Sequence, residues 1–326
     1  MKKSVVDILR SKQVLNEKLS LLYLVITALT GYTSVVFSVL CFNTYSLLTV
    51  LLIPLSFIAI CRAFIIIHDT GHFAFFKSRV NNSIAGNLLG LLIMIPNEYR
   101  SYVHNLHHSA TGHLDKRHIN PELWTMTTEE YLGSSTIKQL FYRIIRSGFM
   151  RLILIPFLLI LVTKIPLPKL PWKAKISVII YDIIYTIIIY YAIHYNLWLG
   201  MLIGYIIPLL LFNFFASVVF YLQHQFENTQ WLSQESWNFY DAALGGSSFL
   251  KLNPVLNWII GITGHHHIHH LNSKTPFYEL KNAHEIVEDN IEVKEIYLSE
   301  LFQHLRGKVW DKNKQRLIHY SELYER

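Results

Sequence analysis

The chain has 326 residues and a net charge of +7, with 52% hydrophobic and only 16% charged residues; its mean hydropathy is +0.30. Soluble domains carry about 25% charged residues, so this composition excludes an ordinary water-soluble globule and points to a membrane protein. Cys41 and Cys61, its two cysteines, both lie in apolar runs, which excludes four-cysteine zinc and iron–sulfur sites and leaves two buried free thiols.

In chain order, Met1 to Leu19 carries Lys2, Lys3, Arg10, Lys12 and Lys18 and reads as an amphipathic cytosolic lead-in with no signal peptide. Four runs then reach the roughly 20 apolar residues that a bilayer crossing needs: about Ser20–Phe42, Ser46–Ile67, Ile176–Ile193 and Leu197–Leu222. Three residues separate the first pair and three the second, which predicts two tight helical hairpins. Two shorter apolar runs, Ile84–Pro96 and Leu152–Thr163, have the length of interfacial helices. If both lie flat, residues 68–175 and 223–326 face the same side, and so do all the histidine-rich segments. Charge agrees: 13 of the 29 Lys and Arg residues lie between Phe73 and Lys175 and ten follow Leu222, with none in the hairpin turns. Basic residues concentrate in cytoplasmic segments, so both termini and the central segment are expected inside. The expectation is one all-α integral membrane domain, 1–326, with a cytosolic helical cap.

Seventeen histidines are the unusual feature. Three boxes hold eight of them: His68-Asp69-Thr70-Gly71-His72, His104-Asn105-Leu106-His107-His108 and His266-His267-Ile268-His269-His270. Residues three and four apart share a helix face, so each box presents two or three imidazoles as one group. Imidazole ligates iron, zinc and copper alike, and number discriminates. A zinc site uses about three or four protein ligands; eight are too many for one ion and right for two, which implies redox chemistry with dioxygen. The first box also lacks the glutamate of the zinc-protease pattern.

With these boxes, the chain resembles the membrane fatty acid desaturase family, most closely its bacterial acyl-lipid members. The likeness runs from about Phe64 to Tyr278. It includes His107-His108-Ser109-Ala110-Thr111, Leu114-Asp115-Lys116-Arg117, Trp124-Thr125-Met126-Thr127 and Gln223-His224-Gln225-Phe226-Glu227. The resemblance implies two non-haem iron ions held by His68, His72, His104, His107, His108, His266, His269 and His270, with His224 as a further ligand just past the last span. It sets aside His265, His267, His113 and His118. It further implies a dioxygen-dependent desaturase of lipid acyl chains in the bacterial plasma membrane, with hydroxylation or ketolation by a similar centre as the alternative chemistry. Carboxylates placed to orient the ligands are Asp69, Glu98, Asp115, Glu227 and Asp241, and Trp124 and Trp231 are candidates for a substrate entrance. Flavin and nicotinamide fingerprints are missing, so electrons are expected from a soluble donor such as ferredoxin. Nothing points to nucleic acid.

Overall fold

A computed structural model describes residues 2–119 and 124–324. Its first half runs α1 (Lys2–Lys12), α2 (Glu17–Cys41), α3 (Ser46–Gly71), α4 (Arg79–Ile93), α5 (Asn97–Ala110), α6 (Thr128–Leu132), α7 (Thr136–Ile145), a π-turn over Met150–Leu154, and α8 (Ile155–Val162). The second half runs α9 (Trp172–His194), α10 (Trp198–Met201), a π-turn over Leu202–Ile206, and α11 (Ile207–His224). The cap follows with α12 (Phe239–Gly245), β1 (Phe249–Lys251), α13 (Pro254–Ile259), α14 (His266–Leu271), α15 (Leu280–Val287), β2 (Glu295–Tyr297), α16 (Leu301–His304), β3 (Val309–Asp311) and β4 (Arg316–Ile318).

Among the described residues, four helices are long and apolar enough to cross a membrane: α2, α3, α9 and the continuous Trp198–His224. They start and stop within about a helical turn of the expected spans. Leu21, Leu22, Val25, Ile26 and Leu29 on α2 and Ile179, Ile180, Ile183 and Ile187 on α9 point outward. Between helices the residues are small or hydroxylated, because neighbouring spans gain by close van der Waals approach and a few buried hydrogen bonds. Ser56 donates its Oγ hydrogen to Ser34 Oγ at 3.1 Å, and Thr49 Oγ1 donates to Ser38 O at 2.9 Å. Where the fourth span crosses α2, a Cβ on Gly204 would meet Ser38 Cβ at 2.5 Å, and one on Gly200 would run into the Val39 carbonyl.

α4 packs along α3 and ends at Met94 in the left-handed region, φ 59°. The final carbonyls of any helix lack partners within it. Here the spans supply two of them, Tyr205 donating to Leu92 O at 2.9 Å and Tyr185 to Leu91 O, and grip the preceding turn as well, Tyr32 donating to Leu88 O at 2.5 Å and Tyr181 to Asn87 O at 2.9 Å. Lys164 Nζ closes the set on Met94 O at 2.6 Å. This clasp lets α4 stop and turn through Pro96 into α5, which carries the second histidine box. The cap is helical, as expected, and adds two small sheets: β1 pairs parallel with β2, Leu250 opposite Ile296, and β3 pairs antiparallel with β4, Trp310 opposite Leu317.

The α2 crossing yields a prediction. Gly204→Val overpacks the helix contact by about 1–3 kcal/mol. It should lower the Tm of the detergent-purified protein by several degrees, whereas Gly133→Ala, at an exposed helix end, should leave it unchanged. Equal Tm values for both variants would contradict the close crossing.

Candidate metal centre

α3 runs past its apolar stretch so that His68 stands on its last turn and His72 at its C-cap. Helix termination there is secured from outside: Lys274 Nζ donates to His72 O at 2.5 Å. His104, His107 and His108 stand on α5, His224 is the last residue of α11, and His266, His269 and His270 stand on α14. The structure brings all nine together. One group is His68, His72, His104, His108 and His269; the other is His107, His224, His266 and His270; within each, the ligand atoms lie within 4.8 Å of one another. The groups abut, with the His108 and His270 rings stacked at 4.4 Å.

Box membership does not decide group membership. The pairs four apart (68 with 72, 104 with 108, 266 with 270) stay together, while His107 and His269 cross to the other group. On a helix, residue i+4 lies about 40° to one side of residue i and i+3 about 60° to the other. The i+3 and i+4 members therefore face different neighbours once other helices close in.

The geometry fits cations. Nε2 of His104 lies 2.9 Å from that of His68 and 3.1 Å from that of His108, which lies 2.9 Å from that of His269. In the second group, His266 Nε2 is 2.8 Å from His224 Nε2 and 3.1 Å from His270 Nε2. A neutral imidazole nitrogen carries one proton or one lone pair, so strings of this kind cannot be satisfied by hydrogen bonds alone. Ligands at right angles around an ion with metal–nitrogen bonds of about 2.1 Å sit roughly 3.0 Å apart, and tetrahedral ones roughly 3.4 Å, close to the spacing found here. His72 Nε2 is buried with no hydrogen-bond partner among the described residues. Burial, helped by the charges of Arg100 and neighbouring histidines, holds His104 and His108 well below the ordinary imidazole pKa; burial and neighbouring histidines do the same for His266, His269 and His270. These rings are neutral at pH 7, the form that binds metal.

Outer contacts orient the rings. Asp69 Oδ1 is 3.3 Å from His68 Nδ1, and Asp69 Oδ2 accepts from Phe277 N–H at 2.7 Å. His224 Nδ1 lies 2.9 Å from Gly246 O. With Nδ1 so engaged, Nε2 directs its lone pair inward. Of the other carboxylates, Glu98, Asp115 and Glu227 contact other partners. Glu98 accepts from Asn87 at 3.1 Å, Asp115 from Gln234 N–H at 2.8 Å, Glu227 pairs with Arg316 at 3.1 Å, and Asp241 accepts from Asn238 at 2.6 Å. Gly246 was not legible as a partner, since a backbone carbonyl has no signature in sequence. His267 turns away to His284 at 3.0 Å, and His265 to Ile262 O at 3.2 Å. His113 meets Gln234 at 3.2 Å, and His118 is exposed. Trp231 is buried with Leu114, Trp310 and Leu317, against Phe220.

Two groups of largely buried, neutral imidazoles, gathered where two membrane-spanning helices end, mark the metal site of a membrane enzyme. The family profile described as "Fatty acid desaturase" matches residues 19–301. The chain is 31% identical over 278 residues to the "Fatty acid desaturase" of Bacillus subtilis (strain 168), covering 85% of this chain and 79% of that protein. It is 24% identical over 237 residues to an "sn-1 acyl-lipid omega-3 desaturase (ferredoxin)" of Synechocystis sp., covering 69% and 63%, and 22% identical over 234 residues to an "sn-1 oleoyl-lipid 12-desaturase" of the same organism, covering 71% and 66%. The chain belongs to the fatty acid desaturase family, whose members are oxidoreductases that introduce double bonds into fatty acyl chains.

Asp69→Asn keeps the side-chain volume and replaces the carboxyl group beside His68 Nδ1 with an amide. Loss of such an outer contact lowers metal affinity by about 10–100-fold. The expected result is faster metal loss to a chelator with an unchanged helical spectrum; retention equal to wild type would show that Asp69 does not tune the ligand.

Proposed function

We propose that each histidine group holds one iron ion and that the pair desaturates acyl chains of membrane lipids. The observation that carries this reading is the convergence of nine imidazoles into two adjoining groups, a ligand supply that suits two ions and exceeds one. When bound, the iron pair would supply the dioxygen chemistry by which two hydrogens leave neighbouring methylenes, dioxygen with two external electrons and two protons becoming two waters. The protein's part is done by its own residues. Burial keeps the imidazoles neutral, Asp69 and the Gly246 carbonyl set the direction of two rings, and the packed ends of α3, α5, α11 and α14 exclude water.

Topology follows from the same convergence. The ends of α3 and α11 meet in one site, so the chain between them crosses the bilayer an even number of times. That supports α9 and the fourth span as the only crossings there, with α4 and α8 not traversing. With the basic residues concentrated on the side of the site, the centre faces the cytoplasm, in a bacterial plasma membrane. Electrons come from a soluble acidic carrier such as ferredoxin, drawn to this basic face. Turnover with such a donor is expected to fall as ionic strength rises, and an assay insensitive to salt would remove the steering argument.

One variant per group tests the ligand set. His269→Ala and His107→Ala should each lower iron below two ions per chain and cut the new double bond, located by mass spectrometry in a host lacking the activity, to under roughly 1% of wild type. His267→Ala, adjacent to the proposed ligand His266, should retain both irons. Wild-type product from His269→Ala, or a single zinc in the purified protein, would overturn the assignment.

A further inference from the structure

Beyond the histidines, Arg146, Arg151 and Lys308 bring three cations together with no carboxylate among the described residues paired to them. Arg146 caps α7, Arg151 lies in the following π-turn, and Lys308 immediately precedes β3. Arg146 is 1% exposed. Its Nη1 donates to Gln225 Oε1 at 2.6 Å and its Nη2 to Gly307 O at 3.2 Å. Arg151 Nη2 donates to Trp124 O at 3.2 Å, an oxygen that Arg146 Nη1 reaches at 3.5 Å. Lys308 Nζ donates to Arg146 O at 2.7 Å. Every acceptor is a neutral carbonyl or amide oxygen. The ion pairs of neighbouring cations engage Arg117, Lys312 and Arg316 instead, and no carboxylate among the described residues pairs with these three.

The same place holds unsatisfied donors. Nε of Arg146, Nε of Arg151 and the Tyr320 hydroxyl are buried with no hydrogen-bond partner among the described residues, and Tyr320 lies within electrostatic reach of both arginines. Burial, with Arg146 and Arg151 adding to it, pushes the Lys308 ammonium down to about 8. Buried donors and cations without a counter-charge are costly, and an anion that accepts from them relieves the cost.

The surroundings say which anion. Ile137, Leu140, Phe141 and Ile144, at i, i+3, i+4 and i+7 on α7, are exposed by 82, 59, 56 and 49%, and Phe149 beyond them is exposed by 63%. The opposite face buries Tyr142. An apolar stripe of this kind, beside spans that cross a bilayer, lies in the membrane surface with its apolar side among the acyl chains. That depth is where lipid phosphates sit. Gln225, the partner of Arg146, directly follows His224.

We propose that Arg146, Arg151, Lys308 and the Tyr320 hydroxyl form a binding site for the phosphodiester of a glycerophospholipid headgroup, at the bilayer surface beside the histidine groups. A role in presenting the acyl chain for oxidation rests on the desaturase reading above; the binding itself does not.

The test uses the full-length, metal-loaded protein in a neutral maltoside detergent, titrated with short-chain phosphatidylglycerol, a neutral galactosyl diacylglycerol of equal chain length, or inorganic phosphate, with Tm as the readout. Phosphatidylglycerol should raise Tm saturably, and the neutral lipid should not. Arg151→Gln combined with Lys308→Gln should weaken the response at least tenfold, and Tyr320→Phe, which deletes only one donor, severalfold, with iron content unchanged in both. A neutral lipid as effective as phosphatidylglycerol, or variants that respond like wild type, would overturn the site. Inorganic phosphate acting at the same concentration as the lipid would overturn the headgroup assignment. Iron measured in the same samples separates the two readings: lipid response lost with iron retained bears on this site, and iron lost with lipid response retained bears on the metal centre.

Discussion

Nine imidazoles must be taken out of water, kept uncharged and aimed at two points, and the rest of the molecule is arranged around that constraint. Burial alone would leave a knot of nitrogens with opposed lone pairs; a cation in each group would turn that repulsion into coordination. Low proton affinity and metal affinity therefore have one cause, the removal of the rings from solvent. His107 and His224 are fully buried and sit in the same group, so the second group is closed to solvent where α5 meets the end of α11.

The membrane helices serve this site as posts. α3 and α11 bring His68, His72 and His224 to one level, and both depend on close, small-residue contacts that admit no sliding. α4 is held by tyrosine hydroxyls from three neighbouring segments and returns the chain to the site as α5. The Phe277 amide, by donating to Asp69, ties the loop after α14 to the end of α3. First and third boxes are thus mechanically joined through the same carboxylate that orients His68.

The cap is more than a cover for the metal centre. Arg146 bridges α7, Gln225 and the Gly307 turn, linking the amphipathic surface helix to the residue that follows His224. A lipid phosphate bound there would reach the metal centre through one side chain and one peptide, coupling the bilayer surface to the oxidising site. Apolar exposure on α7 and buried cations behind it belong together physically, since each makes sense at the boundary between headgroups and acyl chains.

Local properties were readable from the amino-acid order. An apolar run long enough to cross a bilayer needs no partner to be recognised, so the four spans and the two hairpins followed from composition, as did the helix-face spacing of the boxes. The nine histidines that the structure gathers were all identifiable by that spacing and by resemblance. Their division into two groups was not, because periodicity states which residues share a face and not which helix confronts it. His107 and His269 change groups only when α11 and α14 close against α5. Asp69 was one of five carboxylates with equal standing in sequence, and only packing placed it beside His68 Nδ1 while Glu98, Asp115 and Glu227 met other partners. The Gly246 carbonyl, the two small sheets and the buried cations around Arg146 likewise arise from contacts between residues distant in the chain, which a one-dimensional pattern does not encode.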